Sequence, residues 1–124
     1  MTMVAATVIA YDHDIPYFLV HQKDSGDHFW AVKVHHHEEK TSLGTILSAF
    51  QKIGVTNFDD WRLGELATAV EGEGHAESLY SFHVTDYQAL QKQLPKELVF
   101  KSADDIRELL TTIQPSTFTS FDAS

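Results

Sequence analysis

Two spacings of apolar residues organise this chain, a strand-like alternation and a helix-like stripe. Val4 to Tyr11 is a β-rich apolar run closed by the polar Asp12-His13-Asp14. Ile15 to His21 follows, with Pro16 at its start, where a missing N–H is tolerated. The two runs predict a hairpin. Lys23 to Asp27 (KDSGD) is a turn cluster. From Phe29 to His35 the chain alternates, with Trp30, Val32 and Val34 on one face and Phe29, Ala31, Lys33 and His35 on the other. That is a strand.

A helix comes next. Leu43, Ile46, Leu47, Phe50 and Ile53 form one continuous stripe, and Thr45, Ser48, Gln51 and Lys52 occupy the opposite face. Thr41 or Ser42 can cap its start, Glu38 and Glu39 lie near the positive end of its dipole, and Gly54 supplies the stop. Trp61 to Val70 and Glu77 to Val84 read as strands joined by the acidic EGEGHA segment. Thr85 with Gln88 makes a capping-box pattern for a second helix, edged by Tyr87, Leu90 and Leu94 and ended by Pro95. Leu98 to Phe100 is a short strand. Ser102 with Asp105 opens a last helix that buries Ile106, Leu109, Leu110 and Ile113. The tail after Pro115 is expected to be loose, with Phe118 and Phe121 available to dock.

Composition narrows the class. The chain has 124 residues, 43% of them apolar, enough for one domain spanning 1–124 with a real core. It has no cysteine, so disulfides and thiolate metal sites are excluded. The N-terminal run lacks a basic flank and reads as a strand rather than a signal peptide. No apolar run approaches the roughly 20 residues of a bilayer span, so a cytoplasmic location is expected. Eighteen acidic residues against nine basic ones give a net charge of −9, which argues against nucleic-acid and membrane partners.

The order from Phe29 to Val55, FWAVKVHHHEEKTSLGTILSAFQKIGV, resembles the strand–loop–helix of the Nudix hydrolases, and the order of elements matches that family over nearly the whole chain. The resemblance implies an α/β fold, a Nudix-like α/β/α sandwich with a mixed sheet flanked by helices. In that family, glutamates on the loop and helix hold magnesium for hydrolysis of nucleoside diphosphate derivatives. With the motif anchored on Gly54 and Val55, its Arg-Glu pair falls on Leu47 and Ser48, and its Glu-Glu pair on Gln51 and Lys52. The upstream glutamate falls on Glu39 and the first glycine on Lys33. Glu39, Gly54 and Val55 fit; Lys33, Val34 and His35 replace the usual Pro-Gly-Gly. The loop is about two residues shorter than in the family.

Magnesium needs hard oxygen ligands, and Ser48, Gln51 and Lys52 offer no carboxylate. Lys52 sets a cation where the family holds the metal, so no catalytic residue beyond the isolated Glu39 and no magnesium cofactor are expected. The leading expectation is a non-catalytic Nudix-like domain that binds a nucleotide-like small molecule or a protein partner. Trp30, Lys33, Ser48, Gln51, Lys52 and Tyr80 are the candidate ligand-binding residues, the aromatics because the family holds its base against the sheet. The resemblance also allows a homodimer.

Two other chemistries compete. One is a hydrolase with a displaced metal site, using Glu38, Glu39 and a carboxylate from Glu71, Glu73 or Glu77. The other is a transition-metal site on His35 and His37, which point the same way on an extended chain, with His28, His75 or His83 as a third ligand. Consecutive histidines lack the spacing of well-formed zinc motifs, and a solvated histidine-rich loop explains them as well. The glutamates around Gly72 and Gly74 fit no calcium-loop spacing and read as a hairpin tip.

Overall fold

Both faces of the first strand are apolar, which is the pattern of a strand covered on both sides. The computed structural model describes residues 2–34, 42–71 and 75–115, and there this strand, β1 (Thr2–Asp12), lies inside an eight-stranded mixed sheet. Val4, Ala6, Val8 and Ala10 enter one buried cluster, and Ala5 enters another on the far face. One edge of β1 pairs parallel with β6 (His75–His83), from Val4 against Ser78 to Ile9 against His83. Its other edge is divided. Thr2 to Ala6 pair with β4 (Trp30–Val34), and Ile9 to Asp12 pair with β2 (Ile15–Lys23), both antiparallel. Thr7 sits where the two partners part, and its buried hydroxyl donates to the Leu19 carbonyl of β2 at 2.9 Å.

The hairpin between β1 and β2 turns on His13 and Asp14, both at positive φ (53° and 66°), as a two-residue loop with the twist of its strands requires. β2 also pairs with β3 (Gly26–His28) and with β7 (Leu98–Ser102). β5 (Arg62–Glu71) pairs with β6 through a bulge between Leu63 and Leu66, and with the short β8 (Ile113–Pro115). Strands β3 and β8 go beyond the sequence reading. The KDSGD turn ends early enough for Asp27 to join β3.

Helix α1 (Ser42–Lys52) lays its stripe on one face, with Ile46 and Phe50 wholly buried. It ends in a Schellman arrangement: the Val55 amide donates to the Phe50 carbonyl at 3.0 Å and the Gly54 amide to Gln51 at 3.2 Å. Gly54 has φ 129°, and a side chain there would run into the Gln93 carbonyl of the neighbouring helix α2 (Tyr87–Gln93). On the opposite face Ile106, Leu109, Leu110 and Ile113 pack over Ala5, Val20, Phe29, Ala69 and Leu79. The expected last helix is instead a 3-10 turn (Ala103–Ile106) followed by a single turn, α3 (Arg107–Leu110). Ile113 keeps its apolar contact but belongs to β8, because its backbone pairs with Ala69. Ser102 precedes the 3-10 turn without making a side-chain cap bond.

The cap of α2 also differs from the expected one. Asp86, not Thr85, accepts from the amide three residues on, at 3.0 Å from Ala89. Thr85 is held by Asp60, which accepts from its amide at 2.8 Å and from its hydroxyl at 2.7 Å. The Gln91 side chain donates to the Leu98 carbonyl at 2.8 Å and accepts from the Phe100 amide at 3.0 Å, so a side-chain amide serves the outer edge of β7. Thr41 and the tail with Phe118 and Phe121 lie outside the described residues.

Gly26, at φ 125°, has open space where a side chain would stand, whereas Gly54 does not. Gly54→Ala is expected to cost about 3 kcal/mol or more, backbone strain plus a clash, and Gly26→Ala about 1 kcal/mol. Urea unfolding of the two variants measures the difference.

Candidate functional site

The helix that would carry catalytic carboxylates has none along SLGTILSAFQK, and its one charged side chain is Lys52 in the last turn. Ser48, half-buried, and the exposed Gln51 and Lys52 fall on one side of α1, three and four residues apart. They present a hydroxyl, an amide and an ammonium. These groups donate to phosphate oxygens but do not cage a hard divalent cation.

The sheet beneath brings two of the expected aromatics level. Trp30 on β4 and Tyr80 on β6 both stand opposite Ala6, on the face that α1 covers. Trp30 is engaged: its ring lies 4.6 Å from Phe50, which in turn meets Trp61 edge-on at 4.9 Å. Trp61 also contacts Phe58 at 4.8 Å and Phe82 at 5.3 Å. The half-buried Trp30 ring thus helps to fix α1 to the sheet. Tyr80 is half-buried against the same cluster, with exposed Leu66 opposite it on β5 and exposed Ser78 two residues before it. Lys33 is exposed and alternates away from Trp30 and Val32, so it lies on the far side of β4 from α1. It does not join Ser48, Gln51 and Lys52. Of the expected residues, then, Ser48, Gln51 and Lys52 share one side of α1, Trp30 and Tyr80 stand level on the sheet face that α1 covers, and Lys33 lies on the other face.

The competing chemistries fall mostly elsewhere. Glu38, Glu39, Glu73 and the run His35 to His37 lie outside the described residues. Glu77 pairs with Ala69, on the face opposite α1. His28 sits on β3 opposite His21, and His83 on β6, so β2 and β1 separate them. Burial first, and the nearby Lys23 charge next, hold His21 below the ordinary imidazole value. Among the described residues no three His, Asp or Glu side chains gather as a metal set, and no helix is long and apolar enough to cross a membrane.

The domain thus sets a carboxylate-free helix across a mixed sheet with a third layer behind. The layering, strand sheet and covering helices, is shared with the C. elegans Ap4A hydrolase. Its crystal structure superposes with a TM-score of 0.60, covering 88% of this chain and 86% of that one, at 12% identity. The fold is Nudix-like. No family model matches the sequence, and neither does any curated protein.

A concavity of about 320 Å3 was not legible in the sequence. It lies between the α1–β5 connection and the start of α2, lined by Asn57, Asp59, Asp60, Trp61, Thr85 and Asp86 among others. Asp60 dominates it and is already committed, since it also accepts from the Asp86 amide at 3.3 Å. The Thr85 hydroxyl first, then the Thr85 and Asp86 amides and the Arg62 charge, lower the pKa of this exposed carboxyl, against a slight desolvation that raises it. No local signal marks Asp60, because its partners lie 25 and 26 residues along the chain.

A carboxyl whose folded pKa is depressed adds stability that is present above the unfolded value, 3.8 for this group, and is lost as pH falls through the folded value. Asp60→Asn is therefore expected to be less stable than the parent at pH 7. The gap should close as the pH is lowered through the acid range. Denaturant midpoints at pH 7, 5 and 3 check this, and a gap independent of pH would contradict it.

Proposed function

We propose that this domain binds a nucleoside phosphate without hydrolysing it, at the outer side of α1 and the adjoining sheet. The carrying observation is the helix itself, Ser42–Lys52, which has no acidic residue and ends on Lys52. Catalysis of phosphoanhydride cleavage by a metal needs the ion held, its water activated and the leaving phosphate neutralised. Ser48, Gln51 and Lys52 serve only the last of these needs, and they serve it as a binding set. A lysine is a compact point charge suited to phosphate, and a serine hydroxyl and a glutamine amide add donors. Tyr80 offers an apolar face with a polar rim for a base or sugar. The fold likeness to a dinucleoside polyphosphate hydrolase supports this ligand class, and the missing carboxylates support binding in place of turnover.

The test uses the whole chain with ADP, ATP and Ap4A, first in EDTA and then with magnesium or manganese. Binding in EDTA is expected to raise the Tm; saturation at about 100 times Kd corresponds to about 2.7 kcal/mol. Lys52→Glu is expected to weaken binding at least tenfold without lowering the Tm of the free protein by more than a few degrees. Release of product that depends on a divalent ion and disappears in Glu39→Gln would overturn the proposal in favour of a displaced metal site.

A further inference from the structure

A regular β5 would alternate Leu63 and Glu65 on one face with Arg62, Gly64 and Leu66 on the other. The bulge undoes that alternation. Leu63 pairs with Phe82 and Leu66 with Tyr80, so Gly64 and Glu65 together stand against Ser81 alone. Both leucines therefore lie with Phe82 and Tyr80 on the face that α1 covers. Arg62, paired with His83, and Glu65 turn to the opposite face, where Glu65 joins Ile9, Tyr11, Ser81 and His83 around a hollow. Two contacts hold the bulge. A side chain on Gly64 would stand 2.8 Å from both the His83 imidazole and the Ser81 hydroxyl, so glycine is required there. The Ser81 hydroxyl donates to the Glu65 carbonyl at 2.7 Å, satisfying an acceptor at a residue the ladder passes over.

The bulge thus sorts apolar from charged side chains and leaves an apolar shelf in water. Leu63 is 59% exposed and Leu66 42%, beside the half-buried Tyr80. The shelf begins one strand outward from Phe82, whose ring lies 6.3 Å from Phe50 of α1 and 5.3 Å from Trp61. It is continuous, through Tyr80, with the surface read above as a nucleotide site. We propose that this shelf receives the second substituent of a nucleoside diphosphate bound beside α1, and that this substituent is an apolar group, an alkyl chain or a plain aromatic ring. The proposal rests on the nucleotide reading and narrows its ligand class. Leucine side chains neither donate nor accept hydrogen bonds. A sugar or a second base laid on them would give up water at its polar groups with nothing in return, whereas an apolar group only gains by leaving water. The charges of Arg62 and Glu65, which would hold water beside the leucines in a regular strand, are turned away. An exposed apolar patch on a re-aimed strand next to a binding surface is a place for a ligand.

The test compares ligands of one charge, ADP-ribose and the octyl and phenyl esters of the terminal phosphate of ADP, with ADP itself beside them. Calorimetric titration of the full chain in EDTA gives each affinity. The two esters are expected to bind at least about tenfold more tightly than ADP-ribose. Leu63→Asn with Leu66→Asn should remove that preference, leave ADP-ribose binding within about twofold, and shift the Tm of the free protein by no more than a few degrees. Tyr11→Asn, at a side chain 62% exposed on the opposite face, should leave the preference intact. Equal binding of the esters and ADP-ribose would overturn the shelf while the nucleotide reading stands. So would a preference that survives the leucine changes or is lost in Tyr11→Asn. If ADP and all three derivatives fail to bind, the nucleotide reading falls and the shelf falls with it.

Discussion

The divided edge of β1 is the constraint on which the rest of the molecule depends. One strand pairs with β6 along one side and with both β4 and β2 along the other, so it fixes the relative position of every other strand in the sheet. Such a strand must be apolar on both faces and small enough to be approached closely, and Ala5, Ala6 and Ala10 meet that need. Where β4 ends and β2 begins, a polar residue becomes useful. The Thr7 hydroxyl bonds the Leu19 carbonyl across the fork, so a buried acceptor at the parting of two strands is satisfied rather than left bare.

From this strand the two helical layers follow. Even-numbered β1 residues from Val4 to Ala10 receive α1 and α2, and Ala5 faces the 3-10 turn and α3. Phe50 is the hinge of the first layer. It meets Trp30, Trp61 and Phe82 and also sets the turn at Gly54 and Val55 through its carbonyl. The Gly-Val ending of the helix, one of the matches to the Nudix pattern, is thereby a structural device. It closes a helix against a sheet whether or not the helix carries catalytic groups.

Much of this was legible because its signals are local. The alternation from Trp30 to Val34, the stripe from Leu43 to Ile53, the hairpin at Asp12 to Ile15 and the stop at Gly54 each occupy a few adjacent residues. What stayed hidden depends on distant partners. β8 exists because Ile113 meets Ala69, and its apolar spacing after Ile106 and Leu109 imitates one more helical turn. Thr85 carries a capping-box pattern, yet Asp60 claims its hydroxyl from another connection and passes the cap to Asp86. The candidate site was legible in residue type but less so in placement. Ser48, Gln51 and Lys52 share a helix side as their spacing required, whereas Lys33 was grouped with them although its own alternation puts it across the sheet.

The side-chain amide of Gln91 has a consequence for how this protein keeps apart from its own copies. By donating to Leu98 and accepting from Phe100 it fills the places where another polypeptide would add to the rim of β7. The rim is guarded by a group that makes the same two bonds a neighbouring backbone would make. An aliphatic residue in its place would leave the Leu98 carbonyl and the Phe100 amide bare, so this one side chain serves the fold and the strand's isolation together.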